Sequence, residues 1–193
     1  SDFLPREKTH LSDSSQRLQF EHVVLPHLDA AYNLARWLTR NDHDAEDVTQ
    51  EACTRAFRFI DSFHGGNAKT WLLTIVRRTC YTWLEKHRAG KNTTMFDEDL
   101  HSIGVSDLDG GNGSASGSPE TLLLQNADLR RLGECLEQLP REFREAVVLR
   151  ELEGMTYKEI SAITDVPLGT VMSRLARGRG LLQQKLSGTN PET

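Results

Sequence analysis

The chain has 193 residues, of which 37% are hydrophobic and 26% are charged, and its formal net charge is −5. That length permits one domain of ordinary size or two small ones, with enough apolar residues to form a core. The apolar runs are only a few residues long and no apolar stretch follows a basic N-terminal start, so neither a membrane-spanning helix nor a secretory signal is predicted, and we expect a soluble, cytoplasmic protein.

Helical periodicity begins in the first third of the chain, after residues 1–19, which we interpret as an N-terminal tail. Apolar residues recur at helical spacing over 28–38, and the Asn and Asp residues at 41–47 suit the start of a second helix. The apolar stripe of this second helix is predicted to contain Ala45, Val48, Ala52, Ala56 and Phe59. Its polar side chains face the other way and form either ordinary solvated surface or a docking surface for a partner.

A basic helix is predicted after the break in the pattern at 64–67. Between Lys69 and Lys91 the sequence has six basic residues and one acid, Glu85. One side of this helix collects Thr70, Trp71, Thr74, Arg77, Arg78, Tyr81 and Arg88. Basic groups interleaved with aromatic rings suit a surface that follows a phosphate backbone and stacks on unpaired bases. Taken alone, the pattern fits a basic surface helix equally well.

Residues 96–120 are acidic at first and then rich in Gly and Ser, which predicts a flexible linker. The flanking segments, 20–95 and 121–187, have strong helical patterns and few strand signals. The expected fold class is therefore all-α, with two small helical domains joined by the linker and a C-terminal tail at 188–193. A relaxed linker of about 22 residues spans roughly 25 Å, so we expect two domains that are not preorganised in the free protein.

The C-terminal segment predicts several helices in succession. Leu129, Leu132, Leu136 and Leu139 form an apolar stripe that ends at Pro140. A short helix after Thr156 is followed by a turn over 165–169 and a longer helix. This order is typical of a helix-turn-helix, whose second helix enters the major groove of DNA.

The last predicted helix is unusual for an acidic chain, because Val166–Arg179 contains no acid. Small side chains at Ser173 and Ala176 allow close approach to DNA, and arginines bind phosphates or guanine edges. The same pattern also fits a helical hairpin that binds a protein.

The cysteines and histidines predict no disulfide framework and no metal site. Cys53, Cys80 and Cys135 are far apart and odd in number, so we expect reduced thiols. His22 and His27 are five residues apart, which does not place them on one helical face as a ligand pair. No nucleophile, metal or phosphate-loop constellation appears in the sequence, so an enzyme and a cofactor are not predicted.

Two blocks of the sequence resemble bacterial sigma factors of the extracytoplasmic-function (ECF) group of the sigma-70 family. The block DHDAEDVTQEACTRAFRFIDSF, followed by KTWLLTIVRRTCYTWL, resembles the second region of that group. The block LPREFREAVVLRELEGMTYKEIS, followed by VPLGTVMSRLARGR, resembles its fourth region. The blocks have the expected order, and the resemblance extends from about Phe20 to Leu186.

This resemblance implies a protein that is not an enzyme, binds core RNA polymerase, directs it to promoter DNA and helps to open the duplex. The implied core-polymerase contacts are Asp47, Gln50, Glu51 and Arg55. The implied contacts to the minus-ten element are Asp61, His64, Asn67, Lys69, Thr74, Arg77, Arg78 and Tyr81. The implied contacts to the minus-thirty-five element are Thr170, Met172, Ser173, Arg174, Ala176 and Arg177. An anti-sigma factor is the implied regulator, without membrane insertion or a cofactor.

Promoter preference stays open at two positions that depart from the group. Arg78 stands where members often carry asparagine, and Met172 stands where lysine or arginine often precedes the SRL triplet. The linker contains five acidic residues that we expect to be attracted to basic channels of the polymerase. The five residues are Asp97, Glu98, Asp99, Asp107 and Asp109.

Two alternative functions also stay open. One is a helix-turn-helix repressor or activator, which would need to dimerise to read a palindrome. The other is a sigma-like decoy that binds an anti-sigma factor without contacting DNA.

Overall fold

The computed structural model describes the backbone of residues 7–91 and 119–188, and the side chains of 13–88 and 126–188. Every regular element within these ranges is helical, as the sequence predicted. Most of the predicted linker, including its acidic residues Asp97, Glu98, Asp99, Asp107 and Asp109, lies outside the described residues. The C-terminal tail beyond Gly188 lies outside them as well. No helix in the described part of the chain is both long and apolar enough to span a membrane.

The N-terminal domain contains four α-helices, which are α1 (Glu7–Val24), α2 (Leu28–Thr39), α3 (Asp42–Phe59) and α4 (Ala68–Lys91). Short 3-10 turns at Leu25–His27 and Ile60–Ser62 connect them. The Asn41 side chain caps α3 by accepting a 2.9 Å hydrogen bond from the Asp44 amide.

Helix α1 was not predicted, and it begins inside the segment interpreted as a tail. Few of its described residues are apolar and buried, so it has little of the periodicity by which sequence analysis recognises a helix. Gln19 fixes it to the domain by donating hydrogen bonds to the carbonyl oxygens of Ile60 (3.4 Å) and Phe63 (3.3 Å).

The C-terminal domain contains α5 (Pro119–Glu137), α6 (Arg141–Val147), α7 (Tyr157–Thr164) and α8 (Leu168–Leu186). A π-helical turn, Val148–Leu152, extends the end of α6. Arg144 is buried and donates hydrogen bonds to the carbonyl oxygens of Glu137 (2.8 Å) and Leu139 (3.1 Å), which satisfies acceptors at the end of α5. The predicted helix-turn-helix is therefore formed by α7 and α8.

Two predicted core residues are exposed. Phe59 is 59% exposed, because the 3-10 turn that follows α3 brings Ile60 into the core instead. Leu129 is 51% exposed, whereas Leu136 and Leu139 of the same stripe are buried. Phe59 is the last residue of α3, where the ideal 3.6-residue period is a poor guide to burial, whereas Leu129 lies in the middle of α5.

The two domains pack against each other, so the expectation of domains that are not preorganised is wrong for this structure. Helices α2 and α4 contact α6 and α7, and the buried residues of both domains form one continuous core. The expectation considered only the length of the linker. The packing instead depends on apolar residues of both domains that share one core, and on charged and polar pairs between the two facing surfaces.

Candidate nucleic-acid interface

Helix α8 presents the residues predicted to read duplex DNA. Its inner side packs Val171, Leu175 and Gly178 into the core. Its outer side exposes Met172, Ser173, Ala176 and Arg177, whereas Thr170 and Arg174 are half-buried. The six predicted residues therefore lie on one helix, and four of them are accessible.

A tight turn sets the orientation of α8 relative to α7. Asp165 has a φ of 56°, in the left-handed region, and its backbone ends α7. Pro167 then precedes the first residue of α8, where a proline has no helical hydrogen bond to lose. Ser161 donates a 2.6 Å hydrogen bond to the Val166 carbonyl oxygen across this turn.

The residues predicted to contact the minus-ten element lie in the 3-10 turn after α3, in the connection to α4, and in α4 from Lys69 to Tyr81. His64 and Arg78 are exposed, and Asp61 accepts a hydrogen bond from Gln16 of α1. Thr74 is half-buried and donates a 2.8 Å hydrogen bond to the Thr70 carbonyl oxygen, which uses its hydroxyl hydrogen within the helix. These four residues thus remain within the N-terminal domain.

The other four predicted minus-ten residues contact the C-terminal domain. Lys69 Nζ lies 2.7 Å from the Glu153 carbonyl oxygen and 3.0 Å from Glu153 Oε2. Asn67 donates a 2.5 Å hydrogen bond to Glu159 Oε1. The remaining two, Arg77 and Tyr81, both bind the carboxylate of Glu145.

Glu145 is almost completely buried, with 1% of the residue exposed, and its carboxylate accepts hydrogen bonds from side chains of α4. Arg77 Nε donates to Oε1 at 2.5 Å, and Tyr81 Oη donates to Oε2 at 3.2 Å. The Arg77 guanidinium also lies over the Tyr81 ring, 4.3 Å from its centroid. Removal of either partner of a buried ion pair leaves the other charge unpaired away from water, which strongly destabilises the folded protein.

The electrostatics of this cluster follow from burial and close pairing. Desolvation raises the pKa of Glu145, and the adjacent Arg77 guanidinium opposes that shift. Burial by itself lowers the pKa of Arg77, but the Glu145 carboxylate outweighs it, so the pKa is raised. Burial and the Glu145 carboxylate both raise the pKa of Tyr81, which therefore stays protonated as a donor.

Helix α3 carries the residues predicted to bind the polymerase. Gln50 and Glu51 are exposed, and Asp47 and Arg55 are half-buried. Arg55 Nε donates a 2.8 Å hydrogen bond to Glu51 Oε1, one turn away. The Arg55–Glu51 pair orders two side chains on the polar face of α3 and leaves Gln50 exposed.

Sequence analysis missed the three carboxylates that face α4, namely Glu145, Glu153 and Glu159. Glu145 follows other charged residues of α6, Arg141, Glu142 and Arg144, and nothing local singles it out or indicates its partner. Glu159 does carry a signal, because the spacing Thr156-x-x-Glu159 is that of a capping box, and the structure contains that box. Among the described residues, no group of His, Cys, Asp and Glu is arranged to hold a metal ion.

Comparisons with known proteins find matches to both helical domains. The Sigma-70 region 2 model matches residues 23–90, and the Sigma-70 region 4 model matches residues 129–182. The chain is 37% identical over 145 residues to the ECF RNA polymerase sigma-E factor of Escherichia coli K12, covering 74% of each chain. It is 34% identical over 181 residues to the ECF RNA polymerase sigma factor SigE of Mycolicibacterium smegmatis, covering 94% of this chain and 66% of that one.

A solved structure extends the similarity to the fold. The sigma factor RpoE of Bartonella quintana, in complex with the anti-sigma factor NepR, superposes with a TM-score of 0.71 at 28% identity, covering 89% of this chain and 98% of that one. The two matched regions correspond to the two helical domains described above. The chain therefore belongs to the ECF sigma factors of the sigma-70 family.

Proposed function

We propose that this sigma factor binds bacterial core RNA polymerase through α3, contacts the minus-ten strand through α4 and reads the minus-thirty-five duplex through α8. It acts in the cytoplasm as a regulatory DNA-binding protein and not as an enzyme. The observation that carries the proposal is the accessible, acid-free face of α8 in a chain whose net charge is −5.

Duplex reading by α8 follows from the chemistry of its exposed residues. Arg177 supplies a guanidinium that can bind a phosphate or the paired acceptors of guanine. Ser173 and Ala176 are small, so the helix backbone can come close to the base edges. Met172 adds an apolar side chain that is 51% exposed and suits contact with a thymine methyl group.

Single-strand contact by α4 follows from a different set of groups. Arg77, Arg78 and Lys69 provide positive charge, and Tyr81 provides a ring on which a base can stack. Asp61, His64 and Asn67 surround the connection before α4, where Gly65 and Gly66 have φ values of 98° and 95°. Only glycine adopts that backbone without strain, so this connection keeps a shape in which a flipped base could be received.

Regulation by an anti-sigma factor is part of the proposal. Support comes from the superposed Bartonella quintana structure, which contains an anti-sigma factor, and from its coverage of most of this chain. We expect such a partner to form a stoichiometric complex with this protein and to prevent its binding to core polymerase.

Run-off transcription with purified core polymerase and a library of promoter fragments tests the proposal. We expect specific transcripts only when this protein is present. Arg177→Ala should reduce them by about 5-fold to 150-fold, since a bidentate arginine contact provides about 1–3 kcal/mol of discrimination. Arg179→Ala is the matched control, because Arg179 is an exposed arginine of the same helix that instead binds Glu151.

The same assay defines what would contradict the proposal. If the protein binds neither core polymerase nor any promoter fragment, the sigma function is wrong. Capture of a purified anti-sigma factor in that case would support the decoy function. Equal losses for Arg177→Ala and Arg179→Ala would contradict the assignment of the α8 face.

A further inference from the structure

We propose that α1 positions the loop that receives the flipped base, through hydrogen bonds that Gln16 and Gln19 donate to the 3-10 turn before that loop. The base-receiving loop comprises residues 63–67, between that turn and α4. This inference rests on the proposed function of the connection between α3 and α4. Both glutamines precede residue 23, where the match to the Sigma-70 region 2 model begins, so neither belongs to the matched region.

Gln19 holds the backbone at the entrance of the base-receiving loop. Its side-chain nitrogen donates hydrogen bonds to the carbonyl oxygens of Ile60 (3.4 Å) and Phe63 (3.3 Å). An amide nitrogen carries two hydrogens, so one side chain can satisfy both acceptors at once. The Ile60 carbonyl also accepts a 3.0 Å hydrogen bond from the Phe63 amide, which closes the 3-10 turn. Gln19 therefore fixes the turn and the first residue of the loop relative to α1.

Gln16 holds a side chain of the same turn. It lies three residues before Gln19, on the same face of α1, and its side-chain nitrogen donates a hydrogen bond to Asp61 Oδ2. Asp61 is one of the residues predicted to contact the minus-ten element. The contact restricts the rotamers of Asp61, so α1 positions a predicted DNA-binding side chain as well as the backbone.

The other end of the base-receiving loop is fixed by α4. Asn67 Oδ1 accepts a 3.0 Å hydrogen bond from the Thr70 amide, which caps the start of the helix. The Phe63 ring packs against Trp71, with 5.3 Å between the ring centroids. Residues 64–66 lie between these two anchors and are exposed. The loop therefore has fixed ends and an accessible tip.

Two glycines at the tip explain why the ends must be held. Gly65 and Gly66 have φ values of 98° and 95°, and adjacent glycines give a chain many alternative conformations. Only the fraction of molecules in the receptive conformation binds the base, and a loosely held loop adapts to wrong bases as well. Hydrogen bonds at the entrance restrict the alternatives before DNA arrives. Helix α1 should therefore influence which base is accepted without contacting that base.

Substitution by methionine removes the hydrogen bonds and retains the size of the side chain. Methionine has nearly the length and the helix propensity of glutamine, so Gln19→Met and Gln16→Met should keep α1 helical. His22→Met is the matched control, because it places the same side chain at an exposed position of the same helix.

Apolar contacts keep the end of α1 attached in these variants. Val23 and Val24 are buried, and the Phe20 ring lies 5.4 Å from that of Phe57 in α3. The substitutions therefore test the hydrogen bonds to the turn and not the attachment of the helix.

Hydrogen exchange measured by NMR tests the position of the loop in the free, full-length protein. The reporter is the Phe63 amide, which closes the 3-10 turn. We expect it to exchange about twofold to tenfold faster in Gln19→Met, the factor expected from one typical hydrogen bond. The Val171 amide of α8 should be unaffected, and His22→Met should match the unmodified protein at both amides. Unchanged exchange of the Phe63 amide in Gln19→Met would overturn the proposal.

Transcription from four versions of one promoter tests base selection. The versions differ only at the minus-ten base whose replacement is most harmful to the unmodified protein, and the readout is the ratio of transcripts from the best base to those from the worst. We expect Gln19→Met and Gln16→Met each to lower this ratio about twofold to tenfold, and His22→Met to leave it unchanged. An equal loss of transcription from all four versions would indicate a merely structural role and would contradict positioning.

The two measurements separate this inference from the proposed function. If the unmodified protein supports transcription but Gln19→Met changes neither the Phe63 exchange nor the base ratio, the positioning role is wrong and the sigma function stands. If Gln19→Met speeds the Phe63 exchange but no protein supports transcription, Gln19 holds the loop as proposed and the sigma function is wrong.

Discussion

A Cβ atom placed on Gly178 of α8 would lie 2.7 Å from Cγ2 of Val147 and 3.2 Å from the Phe143 carbonyl oxygen. The absence of a side chain at this position lets α8 pack directly on α6. Since α6 packs against the helix-turn-helix, this close approach sets the position of α8, the helix proposed to read the duplex.

Gly178→Ala should destabilise the C-terminal domain by about 1–3 kcal/mol, the usual cost of overpacking a closely packed core. The measurement is chemical unfolding followed by circular dichroism. Gly180→Ala is the matched control on the same helix, where a Cβ would meet nothing within 4 Å. It should stabilise the helix by about 0.5–1 kcal/mol, and equal effects of the two changes would contradict the packing argument.

Neighbouring arginines of α4 should respond differently to removal of the side chain. Arg77→Ala deprives the buried Glu145 of its ion-pair partner and should lower the stability of the folded protein by about 1–3 kcal/mol. Arg78→Ala removes an exposed side chain and should change stability by less than about 0.5 kcal/mol. Both should reduce promoter opening in a permanganate footprint with polymerase. Equal thermal midpoints for the two variants would contradict the burial of the Arg77–Glu145 pair.

The capping box of α7 gives a pH dependence with a defined sign. Hydrogen bonding from the Thr156 backbone amide is the main cause that holds the pKa of Glu159 below its ordinary value of 4.5. A lowered pKa means that the contribution of the carboxylate is present above pH 4.5 and is lost as the pH falls through the lowered pKa.

Glu159→Ala should therefore cost about 1 kcal/mol at pH 7, and much less once the unmodified protein is below that lowered pKa. Unfolding free energies measured from pH 7 down to pH 3 give the comparison. Lys158→Ala, an exposed neighbour on the same helix, should show no such convergence. If the difference in unfolding free energy between the unmodified protein and Glu159→Ala stays constant with pH, the ionised Glu159 carboxylate does not stabilise the start of α7.

Met172 should determine part of the minus-thirty-five preference through apolar contact. Replacing each thymine of that element in turn with deoxyuridine removes only a methyl group, and we expect one replacement to weaken binding about fivefold to tenfold. Met172→Ala should be insensitive to the same replacement. If none of the deoxyuridine replacements weakens binding, the proposed contact between Met172 and a thymine methyl group is wrong. Selection of promoters by the Met172→Lys variant would then show which base this position contacts.

Cys80 should be almost unreactive in the folded protein. Burial is the main cause that raises its pKa to about 12. At pH 8 roughly one thiol in ten thousand is then ionised. Iodoacetamide followed by mass spectrometry should modify Cys80 only after addition of denaturant, which exposes all three cysteines. Rapid labelling of Cys80 without denaturant would contradict its position in the core.

The sequence by itself determined the class of fold and the identity of the two domains. Apolar spacing in α2, α3 and α8 is local information, because a helix repeats every 3.6 residues whatever it packs against. The Thr156 cap and the turn before α8 are local as well. The candidate residues on α3, α4 and α8 were named through the resemblance to the ECF group, because the motifs that carry the resemblance each lie within a short stretch of sequence.

Only the tertiary structure decided which of these surfaces are available. No local pattern relates Arg77 to Glu145, which are separated by 68 positions. Helix α1 was missed because its attachment depends on hydrogen bonds from Gln19 to another element, and Phe59 was misplaced because a 3-10 turn changed the helical phase. The pairing of carboxylates with the predicted minus-ten residues likewise depends on how the domains meet, because the paired groups lie on two separate surfaces and sequence periodicity describes only one surface at a time.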